Sequence, residues 1–387
     1  MMPLYCLGFD FGNAETGAVL FEPERGYSRS VTLPSVTAPG RLSDLIRTRA
    51  GLGMDRLLSD RPESSVPHAL PLSSHEYVLE CDGSEWFVGD LALTQARDGS
   101  SARGDISRYW SRRALHLLLA ASAHLIPSSQ PEYEVHVVTG LPVETFTVQT
   151  RKKVKAALQG QHAFTFNGIG RRAWVRVSAV IMEGAGALIA HGQTRSITQG
   201  CIDVGGRTTD LFVASGQQPI LPLCQGKPLG VESVADLLSQ RFEGRYGRPL
   251  KAAERQAILR AYVCRRHLAP LSNVPEPEPT LYASGVAVPY EEIDAWCETL
   301  FSETGAEIAA FVGAAWNSSE TGAVGADIGQ VLLVGGGAYY VAPALRERIP
   351  HLHVPPRPEL ANALGYGALA CELLRREREA QEFARCS

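Results

Sequence analysis

The chain has no long basic run, no closely spaced cysteine pair, and no apolar stretch near the roughly 20 residues that a membrane helix needs. The net charge of -4 gives no global attraction to nucleic acid or to an acidic membrane. Direct nucleic-acid binding and membrane insertion are therefore not expected. The eight cysteines, Cys6, Cys81, Cys201, Cys224, Cys264, Cys297, Cys371 and Cys386, are scattered, with no Cys/His cluster at zinc spacing. Most sit in apolar stretches, which reads as buried free thiols in a reducing cytoplasm. The N-terminus reaches Asp10 after a short apolar run, without a basic leader segment or a cleavage site, so no secretory signal is expected.

What is present is an ordinary globular balance. Apolar residues make up 45% and charged residues 20% of 387, enough to bury cores in two or three domains. Several apolar runs stop abruptly: residues 4–9 at Asp10, 134–138 at Thr139-Gly140-Leu141-Pro142, 200–202 at Asp203, and 331–334 at Gly335-Gly336-Gly337. These read as buried strands ending in tight loops. Helical patterns alternate with them over 105–126 (with Asp105 as a cap), 143–158, 290–312 and 338–348. Such alternation argues for an α/β fold. Segment 34–101 differs, being rich in Pro, Ser and Arg with weak periodicity over 52–60. It holds a strand pair, 77–80 and 86–88, around the turn Asp82-Gly83, and reads as an inserted subdomain. A second insert, 231–321, is mostly helical with a Pro-rich loop at 270–279.

An internal repeat carries the most information. DFGNAETGAVL, from Asp10, aligns without a gap on DVGGRTTDLFV, from Asp203. Asp10 meets Asp203, Gly12 meets Gly205 and Thr16 meets Thr209, each copy lying between apolar runs. One Asp-Gly turn is an ordinary hairpin. Two at matched spacing predict a duplicated strand–turn–strand unit. A Gly-containing turn lets backbone N–H groups approach an anion, while the carboxylate needs a bridging Mg²⁺ to share a site with phosphate.

The ordered set of motifs resembles the actin superfamily of actin, seventy-kilodalton heat-shock chaperones and sugar kinases. GFDFGNAETGAVL resembles its first phosphate motif, VVTGLP its first connecting motif and CIDVGGRTTDLFV its second phosphate motif. VLLVGGGAYYVAPAL resembles the adenosine motif and ELANALGYGALA the second connecting motif. TGLP with a late NxxGY is most similar to ParM-type plasmid-segregation actins and archaeal actin relatives.

The resemblance implies that Asp10 and Asp203 hold hydrated magnesium. Gly12, Asn13, Gly205, Gly206 and Thr208 would offer donors to the phosphates of ATP (or GTP). Gly335, Gly336 and Gly337 would admit the adenosine, and the helix start at Ala338 would add its positive end. Glu232 and Tyr339 are implied for the adenine pocket. Glu183 follows the apolar run 177–182 and resembles the Glu that orients the attacking water in ParM-type proteins. The competing reading is a Glu favoured at a helix N-terminus by the dipole. Two positions depart from the pattern. Gly17 stands where relatives carry a phosphate-reaching Lys, and Arg207 interrupts the second loop, either supplying that charge or facing solvent. The C-terminal stretch, with Arg375 to Glu379, reads as a solvated helix face.

The expectation is two RNase H-like α/β domains, 1–180 and 181–387, around a nucleotide cleft, each with its insert, and with the C-terminal helix packing back on the first. The expected function is an ATPase that assembles with itself into filaments, for plasmid segregation through a DNA-binding adaptor or for cytoskeletal positioning. The alternatives are a nucleotide-binding scaffold, favoured by Gly17, and a small-molecule kinase, disfavoured by the lack of an Asp base near Glu183.

Overall fold

A computed structural model describes residues 2–51, 76–95, 106–192, 197–266, 278–316, 324–325 and 327–386. The first half runs β1 (Leu4–Phe11), β2 (Glu15–Glu22), β3 (Gly26–Pro34), β4 (Thr37–Pro39), α1 (Leu42–Gly51), β5 (Tyr77–Cys81), β6 (Ser84–Val88) and α2 (Asp90–Gln95). After a 3-10 turn, Ile106–Trp110, come α3 (Arg112–Leu125), β7 (Glu132–Leu141), α4 (Val148–Leu158), β8 (Gly160–Phe166), β9 (Ile169–Met182) and α5 (Ala185–His191). The strands form one nine-stranded sheet in the order β3-β2-β1-β7-β9-β8-β5-β6-β4. Its centre, β1 and β7, is parallel and covered on both faces, which is why both strands read as continuous apolar runs. Asp82 and Gly83 turn with φ of 53° and 71°, the left-handed pair that a two-residue hairpin needs. That hairpin is not a separate layer. It joins the main sheet where Leu79 and Glu80 pair with Phe166 and Thr165.

The second half runs β10 (Thr198–Val204), β11 (Thr209–Ser215), β12 (Gln218–Pro219), β13 (Gln225–Lys227), α6 (Val231–Tyr246), α7 (Ala252–Arg265), β14 (Tyr282–Ala283), β15 (Val286–Ala287), α8 (Tyr290–Trp316), β16 (Gln330–Val334), α9 (Ala338–Arg348), β17 (Leu352–His353) and α10 (Ala361–Cys386). A second sheet has the order β12-β11-β10-β16-β17, with β13 also on β11. Helices α6 and α8 pack their apolar faces on it, burying Val234, Leu238, Phe242, Ile293, Phe301 and Ile308 in one core.

Some boundaries differ from the sequence expectation. The 105–126 helix starts at Arg112, because Ser111 caps it by accepting from the Ala114 N–H. The 143–158 helix is broken, because Thr147 and Thr150 form a reciprocal cap that starts α4 at Val148. The 290–312 helix runs on to Trp316, while 338–348 matches α9 end to end. The periodicity at 52–60, Asp105 and most of the 270–279 loop lie outside the described residues.

The repeat is real in three dimensions. In β1–β2, Asp10 pairs with Gly17 and Phe11 with Thr16; in β10–β11, Asp203 pairs with Asp210 and Val204 with Thr209. Each hairpin then adds a parallel strand on its other side, β7 and β16 respectively. Helix α10 crosses from the second half back onto the first sheet. A Cβ on Gly8 would lie 1.8 Å from the Ala363 carbonyl oxygen, and one on Gly365 would lie 1.8 Å from that of Gly186. Only glycine permits these approaches. Tyr366 is fully buried in the seam with Cys6, Val138 and Ala370. The close approach at Gly8 and the packing around Tyr366 hold α10 against the first sheet.

Candidate functional site

The two Asp-Gly turns face each other across one cleft. Its lining includes Asp10, Gly12, Asn13 and Glu15 from the first turn, Asp203, Gly205, Gly206, Arg207, Thr208 and Asp210 from the second, and Glu183 between them. The loops almost touch, since a Cβ on Gly206 would lie 2.9 Å from that of Ala14. The second loop is clamped to the start of α6, where Val231 and Glu232 donate backbone N–H groups to the carbonyls of Gly205 and Gly206.

Acid dominates the floor. Asp203 and Asp210 are cross-strand partners and both are buried, an unfavourable placement for two like charges. Burial pushes Asp10, Asp203 and Asp210 up to about 7. For Asp203 the neighbouring Asp10 adds to this, and for Asp210 the neighbouring Asp203 does. Glu183 is 8% exposed and is driven well above the usual carboxylate range by burial, then by Asp210, Asp10 and Asp203, with Arg108 opposing. Hard oxygen donors crowded out of water suit a divalent cation. Among the described residues no three Asp, Glu, His or Cys side chains converge closely enough to ligate a metal directly.

Fixed hydrogen bonds hold the acids in place. Asn362, at the start of α10, donates to Asp203 at 2.6 Å while its carbonyl oxygen accepts from the backbone N–H groups of Gly184 and Ala187 at 3.1 and 3.2 Å. One side chain thus ties the second turn to the strand-end bend that carries Glu183. Gly184 makes that bend at a φ of 84°. The Tyr109 hydroxyl donates to the Glu183 carboxylate at 3.1 Å, and the Arg108 guanidinium donates to the Tyr109 oxygen. Asp210 accepts from the Val143 N–H at 2.9 Å, joining the second hairpin to the end of β7.

The glycine triplet Gly335-Gly336-Gly337 lines the cleft beside the second turn. Gly335 has a φ of 82°, and a Cβ there would lie 2.5 Å from an Asp203 carboxylate oxygen. Gly336 has only the Glu15 carboxylate nearby, at 3.8 Å, and presents its backbone to open space. Two implied adenosine residues lie elsewhere. Ala338 is fully buried, and the hydroxyl of Tyr339 donates to Glu359 at 2.6 Å, while Tyr340 lines the cleft in its place. The helical phase explains the swap, since adjacent positions on a helix point about 100° apart. Arg207 neither reaches the acids nor faces solvent alone. It pairs with Glu232, Nε to Oε2 at 2.6 Å, both lining the cleft.

Sequence reasoning missed Asp210, Asn362, Arg108 and Tyr109. Asp210 was signalled, since it occupies in the second copy of the repeat the place of Gly17 in the first. Asn362 opens the NxxGY string. Arg108 and Tyr109 belong to no motif.

Residues 8–186 match the family described as Actin like proteins N terminal domain. No curated protein matches the sequence. Among solved structures, a subunit of a 15-stranded ParM filament from Clostridium botulinum is 19% identical, covers 96% of this chain and 100% of its own, and superposes with a TM-score of 0.70. An archaeal actin homologue in complex with ADP is 20% identical, over 95% of this chain and 98% of its own, with a TM-score of 0.64. ParM from Bacillus thuringiensis with AMPPNP is 14% identical, over 97% and 99%, with a TM-score of 0.63.

Proposed function

The chain has the actin-like fold of the actin superfamily, with residues 8–186 matching its actin-like N-terminal domain, and from that premise we propose that it binds and hydrolyses ATP and assembles with itself into filaments. One observation carries the reading: two hairpins in the same register present Asp10 and Asp203 across a single cleft, with Glu183 between them. Asp10 and Asp203 would hold Mg²⁺ through water, and the ion would neutralise charge on the β- and γ-phosphates. The open backbones of Gly12, Asn13, Gly205 and Gly206 would cradle the phosphates. Gly336 and the α6–α7 side of the cleft, with Glu232 and Tyr340, would take the nucleoside. Glu183, aimed by Tyr109, would orient the attacking water.

The halves on either side of residue 180 would then close on nucleotide and relax after hydrolysis, with α10 coupling them. Self-association is supported by the filament that the Clostridium botulinum ParM forms on the same fold. The proposed setting is a cytoplasmic segregation or positioning system working through a DNA-binding adaptor, with no direct contact to nucleic acid. Among the described residues no helix is long and apolar enough to cross a membrane. Pelleting and negative-stain microscopy with ATP, ADP and no nucleotide test assembly. Polymer that depends on ATP is expected; monomers in all three conditions, across protein concentration and salt, would leave a nucleotide-binding scaffold as the reading.

A further inference from the structure

The first hairpin lacks the cation that a triphosphate site needs. Gly17 pairs with Asp10 across the strands, and its outward space is filled: a Cβ there would meet the Leu360 side chain at 2.9 Å. The chain has five lysines, Lys152, Lys153, Lys155, Lys227 and Lys251, and none lines the cleft. Four arginines do. Arg207 pairs with Glu232 at 2.6 Å, Arg255 with Asp236 at 2.7 Å and Arg260 with Asp90 at 3.4 Å. Arg108 differs. Among the described residues it has no carboxylate within 4.0 Å, and its hydrogen-bond acceptor is the neutral Tyr109 hydroxyl. It is nonetheless only 8% exposed, stacked over the rings of Tyr109 and Phe11 with its guanidinium carbon 4.3 and 5.6 Å from their centroids. A guanidinium held out of water without an anion is costly, and this one opens onto the cleft beside Asp10 and Glu183.

We propose that Arg108 is the phosphate-binding cation of this site, donating to the terminal phosphate of bound ATP in place of the lysine that Gly17 excludes. This rests on the nucleotide reading above. A planar guanidinium can give two N–H donors to one phosphate. Its stacking on Phe11 fixes it one residue from Asp10, and its link through Tyr109 places it on the side where Glu183 would orient water. Arg108 therefore recognises the third phosphate and stabilises the charge that develops on it in the transition state, whereas ADP, lacking that group, gains little from it.

The test is ATP and ADP affinity by calorimetry, with steady-state phosphate release, for wild type, Arg108→Gln and Arg108→Lys. Arg108→Gln should bind ADP as wild type does and ATP about tenfold more weakly. Its kcat should fall by roughly 10³-fold, the range seen when a transition-state arginine is removed. Arg108→Lys should recover part of kcat, since the charge returns without the fork. Melting curves on the same samples exclude general unfolding. If Arg108→Gln keeps both its ATP-to-ADP affinity ratio and its kcat, the arginine is a packing residue and the inference falls alone. If Arg108→Gln loses both nucleotides equally while Arg108→Lys behaves as wild type, the guanidinium makes no contact specific to the third phosphate, and the inference again falls. Wild-type protein that binds neither nucleotide overturns this inference and the proposed function together.

Discussion

At the residue scale, the site is a set of carboxylates whose burial is inconsistent with full ionisation in the empty chain. Glu183 has the Tyr109 hydroxyl aimed at it. It precedes Gly184, the N-cap of α5, so it sits outside the first helical turn where a dipole role would place it. Glu183→Gln keeps shape and removes charge. It should bind ATP like wild type and release phosphate about 10²-fold more slowly or worse, because a water-orienting group acts on the transition state. Unchanged turnover with a lowered melting temperature would remove Glu183 from the chemistry.

The same cluster predicts a pH effect. Asp10, Asp203 and Asp210 titrate near 7 when folded and near 4 when unfolded. Between those values the folded chain holds more protons than the unfolded one. Its stability is therefore greatest at the acid end of that window and falls as pH rises towards 7. Without metal or nucleotide, the melting temperature should drop between pH 5 and pH 8. Magnesium with ATP should flatten that slope by holding the carboxylates ionised. A metal-free melting temperature that climbs over the same range would mean that the acids are not the crowded group described here.

At the element scale, the seam between α10, α5 and β1 is built on glycine. Gly365→Ala forces a Cβ against the Gly186 carbonyl and should cost about 3 kcal/mol or prevent folding. Gly244, exposed near the end of α6 with nothing within 4 Å of its Cβ position and an ordinary helical φ, makes the opposite case. Gly244→Ala should stabilise the chain by roughly 0.5–1 kcal/mol. Chemical denaturation of the two variants checks both signs at once. If they behave alike, the tight seam is not where the stability lies.

Much of this was legible from sequence. The apolar runs ending at Asp10, Asp203 and Gly335 are the central strands, and the gapless repeat became two hairpins in one register. The parts that stayed hidden have physical reasons. Helix starts at Arg112 and Val148 are set by Ser111 and by the Thr147–Thr150 cap, which outcompete the apolar periodicity upstream of them. The pairing of Arg207 with Glu232 and the placing of Arg108 beside Tyr109 are contacts between residues that no local pattern distinguishes. Tyr340 lines the cleft and Tyr339 does not, a single step of helical phase apart.

At the scale of the whole molecule, two related halves meet at one acidic cleft, and the C-terminal helix of one closes back on the sheet of the other through the close approach at Gly8 and the packing of Tyr366 on Cys6 and Val138. In the function proposed here, the two duplicated turns together hold magnesium and a nucleotide. Calorimetric titration of ATP into wild type and Asp203→Ala, each with and without magnesium, tests it most directly. One ATP bound per chain, dependence on magnesium, and markedly weaker binding by a folded Asp203→Ala are expected. No binding by wild type, or an Asp203→Ala titration that superposes on it, would mean that the two turns do not form a magnesium-nucleotide site.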